Sequence, residues 1–189
     1  MKVNKLFEEM QYGSRKQKDA YTAIHELGVF EDLAHYNPAL CRTLPIGIDV
    51  ADSDLDIIME ANDLRAFEEE VQSHYSNERD FSIKRTTIRG KDSVKANFFY
   101  GGFEFELFGQ AEPVDKQYAY IHMKIEYELL QRQPALEDKV KSLKKRGIKT
   151  EPAFCQLLNI KGDPYEALIA YGKKKGIIPL KDVGSDRAG

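Results

Sequence analysis

Polar and apolar positions along the chain change rhythm three times. In the first quarter, Ala20, Tyr21, Ile24 and Leu27 recur at helical spacing until Gly28, and Ser14 with Gln17 three places on has the form of a capping box. Asn37-Pro38 reads as a turn, and the short apolar run over residues 40–47 reads as a buried strand ending in a loop. A second strand is expected at 55–59. Asn62 or Asp63 can then cap a helix whose stripe is Leu64, Phe67, Val71 and Tyr75, with Glu68, Glu69 and Glu70 exposed.

Residues 81–89, 94–100 and 103–108 alternate as strands, separated by the turn residues 90–93 and by Gly101-Gly102, which predicts an antiparallel meander. After Asp115 the period becomes 3.6, with Tyr118, His122, Ile125 and Leu129 on one face. Pro134 opens a further helix that Gly147 can close. Thr150 before Glu151-Pro152 and Asp163 before Pro164 start two more, and Gly176 is a stop. The pattern predicts an α+β protein in which a mixed or antiparallel sheet flanked by helices occupies residues 1–112. A helical C-terminal subdomain spans 113–179, and residues 180–189 form a flexible polar tail.

Composition narrows the class without naming a function. The 189 residues are 42% hydrophobic and 31% charged with a net charge of −3, so nothing in the balance points to general nucleic-acid or DNA binding. Cys41 and Cys155 lack metal-ligand spacing and read as buried thiols of a reducing compartment, which suggests a cytoplasmic location. No stretch has the pattern of a signal peptide or the length of a membrane span. A Gly-Lys-Ser/Thr phosphate loop, a dinucleotide fingerprint and a Ser-centred elbow are also lacking, which leaves kinase, dehydrogenase and hydrolase readings without support.

The chemistry concentrates in TLPIGIDVADSDLDIIME, where Asp49, Asp52, Asp54 and Asp56 crowd together. On a helix, Asp54 and Asp56 would diverge by about 200°; on a strand they share a face at roughly 6.5 Å. Leu55 and Ile57 alternate with them, so the strand reading packs one face and presents paired carboxylates on the other. That arrangement suits a hard divalent cation. A calcium loop starting at Asp52 fails at its sixth place, where Ile57 stands instead of Gly. Asp49 and Asp52 read as solvated loop residues. A two-metal site needs a further carboxylate, and FEFELFG offers Glu104 and Glu106 on one face of a strand, with Glu106 preferred.

A strand, a small-residue loop and Ser53-Asp54-Leu55-Asp56-Ile57, followed by a later strand carboxylate, resemble the nucleotidyltransferase superfamily of the DNA-polymerase-beta type. LPIGID ahead of SDLDI is similar to one of its small, functionally uncharacterised bacterial families. The resemblance implies a nucleotidyltransferase-like core in which Asp54, Asp56 and Glu106 are catalytic ligands of magnesium or manganese. It places Thr43 as the hydroxyl near the nucleotide phosphates, with Ser53 beside the pair. Arg42 stands where the pattern expects Gly and is either an obstruction or a phosphate clamp. The implied reaction transfers a nucleoside monophosphate from a nucleoside triphosphate to a hydroxyl or phosphate acceptor, which is a small molecule, a protein or an RNA. The rival is a catalytically silent nucleotide- or protein-binding module, antitoxin-like or regulatory.

Other residues carry weaker signals. Lys84 and Thr86 share a strand face and can also meet the nucleotide. Lys139, Lys141, Lys144, Lys145, Arg146 and Lys149 fall together and read as a solvated helix face, or else as an attractor of anions. His122 lies within an apolar stripe and reads as a packed core residue rather than a base, while Glu126, one turn on, is a candidate for the cleft.

Overall fold

The computed structural model of the protein describes residues 3–179, so the expectation for the tail at 180–189 lies outside the described residues. The chain divides into two compact units, Met1–Pro45 with Asp52–Val114, and Ile46–Ala51 with Asp115–Gly189.

The first unit begins with helices α1 (Val3–Glu9), α2 (Arg15–Leu27) and α3 (Val29–Asp32). Ser14 and Gln17 form the capping box at the start of α2, and Gly28, at φ 76°, ends it in the left-handed conformation that lets its N–H reach the Ile24 carbonyl. Then come β1 (Ala39–Cys41), β2 (Leu55–Glu60), α4 (Leu64–Tyr75), β3 (Arg79–Ile88), β4 (Lys91–Tyr100) and β5 (Phe103–Gln110). The sheet order is β1-β2-β5-β4-β3. Strands β3, β4 and β5 form the antiparallel meander, β1 pairs antiparallel with β2, and β2 joins β5 in parallel. The architecture is α+β.

One face of this sheet is fully packed. Leu55, Ile57, Val94, Ala96, Phe98, Phe105 and Leu107 share a core with Phe67, Val71 and Tyr75 of α4 and with Ala20, Ala23 and Ile24 of α2. The rings of Phe98 and Phe105 stack at 5.3 Å, and Tyr75 stacks on Phe98 at the same distance. Asp63 caps α4 by accepting from the Arg65 and Ala66 N–H groups.

Several boundaries depart from the sequence pattern. The strand expected over 40–47 stops at Cys41, because Arg42 adopts φ 67°, a left-handed conformation that cannot continue a ladder, and 42–47 becomes bends and turns. Strand β3 starts at Arg79, with a register shift beside Asp80 at φ 57°. Glu68 and Glu70 are half-buried instead of exposed, since Glu68 pairs with Arg85 at 2.7 Å and Glu70 accepts from the Tyr36 hydroxyl at 2.9 Å.

The second unit contains α5 (Tyr118–Arg132), α6 (Leu136–Lys145), α7 (Thr150–Leu157) and α8 (Pro164–Lys174). Ile125, Leu129, Val140, Ala153, Phe154 and Leu168 form its core, together with Ile48 from the segment Ile46–Ala51. Asp163 caps α8 with Pro164 in its first turn, a start that the residue order announces. No helix among the described residues is long and apolar enough to cross a membrane.

Candidate functional site

The face of the first unit's sheet opposite its core carries the acids. Alternation along β2 turns Leu55 and Ile57 inward, so Asp56 points the other way, and Asp54 lies just ahead of the strand. The parallel pairing of β2 with β5 sets Asp56 directly beside Glu106. One carboxylate oxygen from each of Asp54, Asp56 and Glu106 lies within 4.8 Å of the others. Glu104 is exposed and accepts from the Asn97 side chain at 3.4 Å; Glu106, not Glu104, joins the cluster.

The three acids differ in their surroundings. Asp56 is buried, and burial pushes its carboxyl up to about 7; the Arg42 guanidinium pulls it down, while Asp54 and Glu106 push it further up. Arg42 Nε donates to Asp56 Oδ1 at 2.9 Å. Asp56 Oδ2 is buried and meets no hydrogen-bond donor among the described residues. Glu106 is half-buried and pairs with the Lys95 ammonium from β4. Three clustered carboxylates, one with a buried oxygen left over, form a donor set that fits a hard divalent cation.

Thr43 is buried, and its hydroxyl donates to Ser53 Oγ at 3.4 Å, so these two candidates meet each other across the loop. Arg42 half-exposes its side chain and reaches the acids rather than standing apart from them. Lys84 is exposed on β3, where its Cα partner is Lys95. Asp49 and Asp52 lie in the loop ahead of β2, and the latter is exposed.

Lys95 is the residue that the sequence reading passed over, although a signal for it exists. A two-residue turn at Gly101-Gly102 pairs Tyr100 with Phe103, which sets Asn97 opposite Glu106 and leaves Lys95 two places along the same face. Cys41, the register partner of Asp56 on β1, is fully enclosed, and burial drives its thiol far up and keeps it protonated.

Residues of the second unit sort differently. His122 is buried, with Nε2 against the Tyr165 carbonyl at 3.0 Å and Nδ1 against Glu151 at 3.4 Å. Burial alone would lower its pKa, but Glu151, Glu126 and the Tyr165 carbonyl outweigh that and raise it. Glu126 is buried in the same helical unit. In the basic stretch, Lys141 pairs with Glu137 at 2.6 Å and Lys144 donates to the Ile48 carbonyl at 2.8 Å, while Lys139, Lys145, Arg146 and Lys149 are exposed.

A family model described as "Domain of unknown function (DUF4269)" matches residues 22–171. No curated protein matches the chain. Among solved structures, the chain is similar to the GLD-2/RNP-8 complex, with 11% identity and a TM-score of 0.56 over 100% of this chain and 78% of that one. It is similar to Cid1 poly(U) polymerase bound to MgGTP, with 14% identity and a TM-score of 0.52 over 75% of this chain and 46% of that one. A third likeness is to the non-canonical poly(A) polymerase complex GLD-2–GLD-3, with 13% identity and a TM-score of 0.51 over 97% and 62%. The chain thus spans less than half the length of the Cid1 chain. At these identities the likeness is one of fold, and the fold is that of polymerase-beta-type nucleotidyltransferases.

Proposed function

The chain belongs to the DUF4269 family, and from that premise we propose that it is a metal-dependent nucleotidyltransferase. The observation that carries this reading is the convergence of Asp54, Asp56 and Glu106 within 4.8 Å on the face of a nucleotidyltransferase-type sheet opposite its core. A magnesium or manganese ion held by these carboxylates would neutralise phosphate charge and acidify an acceptor hydroxyl. The residues themselves do the positioning. Strands β2 and β5 hold Asp56 and Glu106, Asp54 stands just ahead of β2, and the Thr43 and Ser53 hydroxyls lie on the loop that leads into β2, where they can donate to phosphate oxygens.

In the reaction, an acceptor hydroxyl oxygen attacks the α-phosphorus of a nucleoside triphosphate and forms a new O–P bond. The bond from that phosphorus to the bridging oxygen breaks, pyrophosphate leaves with the bonding pair, and the hydroxyl proton passes to water. The test is transfer of α-labelled ATP, GTP, CTP or UTP by the full chain with magnesium, beside Asp54→Asn/Asp56→Asn. Incorporation by the wild type and none by the double variant supports the reading. Equal incorporation by both, or none by either in magnesium and manganese, sinks it.

The Arg42–Asp56 ion pair favours a second reading, a catalytically silent binding module, because a cationic side chain already engages the most buried of the three acids. Thermal shifts separate the two. Stabilisation by a triphosphate without any metal requirement, unchanged in Asp54→Asn, marks the silent module. If Arg42→Ala binds manganese several-fold more tightly in calorimetry, Arg42 competes with the cation. If the variant weakens triphosphate binding instead, Arg42 is a phosphate clamp.

A further inference from the structure

We propose that Lys84 and Lys95 form an anion clamp on the acceptor side of the site, and hence that the acceptor carries a phosphate group beside its reacting hydroxyl. This rests on the nucleotidyltransferase reading and deepens it by naming the acceptor's chemistry.

Asp56, Glu106, Asn97 and Ser82 are successive partners across β2, β5, β4 and β3, and Phe108, Lys95 and Lys84 form the next row that shares their face. The opposite face of β3 and β4 is settled by Phe81, Ile83, Val94, Ala96 and Phe98, all packed in or against the core, so Lys84 and Lys95 project on the side of the acids. Arg42, the residue after β1, engages Asp56, and Thr43 beside it in sequence meets Ser53. The two lysines lie beyond Glu106 in the other direction, with Lys84 three strands from β2, about 14 Å at ~4.8 Å per strand. A triphosphate bound at the Arg42 and Thr43 end therefore leaves the lysine end to the second substrate.

Charge supports the same division. Lys84 and Lys95 are direct cross-strand partners, an arrangement that like charges make unfavourable unless something anionic lies between or over them. Glu106 answers Lys95, whereas Lys84 is exposed. The hydroxyls of Ser82 and Thr86 flank Lys84 on its strand face and add neutral donors for phosphate oxygens. A hydroxyl acceptor with a phosphate on the lysine pair would present its oxygen near Glu106.

Two probes distinguish the sources of that phosphate: a labelled five-nucleotide RNA with free 3′ hydroxyl, and a ribonucleoside 5′-monophosphate, with the uncharged nucleoside as control. Binding to the full chain is measured by anisotropy and calorimetry for the wild type, Lys84→Ala, Lys84→Glu and Lys84→Arg, and magnesium–ATP binding is measured separately. The expected result is that Lys84→Ala weakens a phosphate-bearing probe about tenfold, which corresponds to about 1.4 kcal/mol. Lys84→Glu should abolish binding, Lys84→Arg should restore it, and the nucleoside should not bind. Magnesium–ATP affinity stays within about twofold throughout, again on the factor-of-ten scale per 1.4 kcal/mol. RNA binding alone identifies a polynucleotide, and binding of both probes a phosphate ester in general; either supports the clamp. Wild-type failure to bind both probes, or equal binding by all Lys84 variants, overturns it. If the probes bind through Lys84 but magnesium–ATP does not bind at all, the transfer reading fails while the anion site stands.

Discussion

Asp56 holds the sharpest conflict at the residue scale. Its carboxyl is raised to about 7, chiefly by burial, from the ordinary value of 3.8. The folded protein therefore binds this proton more tightly than the unfolded chain, so the contribution of Asp56 to stability is fully present below about pH 4 and is lost as pH rises through about 7. In chelator, the melting temperature should fall between about pH 4 and pH 7, and Asp56→Asn should flatten that fall and melt higher at pH 8. An unchanged slope in the variant, measured by calorimetry, would remove Asp56 as its source. His122 adds a slope of the same sign for a different reason. Its raised folded pKa makes a contribution that is present below the ordinary histidine value of 6.5 and disappears as pH climbs through the folded value. His122→Gln should remove that part, and combining it with Asp56→Asn should reduce the slope more than either substitution does by itself.

The elements place the site through close packing rather than through the site residues. Gly109 on β5 lies where an added Cβ would come within 2.5 Å of the Phe67 ring of α4, and that ring is fully buried. Gly109→Ala should destabilise the first unit by about 1–3 kcal/mol, seen as a lower urea midpoint at unchanged slope. A midpoint within error of wild type would show that α4 can give way. Asp63, which caps α4, should contribute about 1 kcal/mol, so Asp63→Ala lowers the midpoint by less than Gly109→Ala does. Much of this scale is legible in the residue order: Ser14 with Gln17, Asp63 and Asp163 each announce a helix start that the structure shows. The alternation of FEFELFG predicts which residues turn inward, and Phe105 and Leu107 do. The end of β1 was not legible, because a left-handed Arg42 has no sequence signature of the kind that Gly provides.

At the scale of the whole molecule, two hydrophobic cores among the described residues each serve their own unit. Phe154 lies at 0% exposure in the helical one, and Phe154→Ala should cost about 3–5 kcal/mol, measured by loss of helical circular dichroism in urea. A loss under about 1 kcal/mol would mean that this core repacks. The sequence by itself determined what is periodic and local: the helical stripes, the caps, the meander with its two-glycine turn, and the placement of Asp56, Glu104 and Glu106 on the sheet face opposite the core. Those features depend on neighbours a few residues apart, and their period is written in the residue order. Only the tertiary structure decided that β2 lies parallel to β5 with Asp56 beside Glu106, so that Glu106 and not Glu104 stands in the cluster. It likewise decided that Arg42 engages Asp56 and Lys95 engages Glu106. Parallel neighbours share no tight turn to fix their register. The pairing of strands separated by α4 and two further strands is set by which arrangement closes the core on their other face, and that balance belongs to the folded chain as a whole.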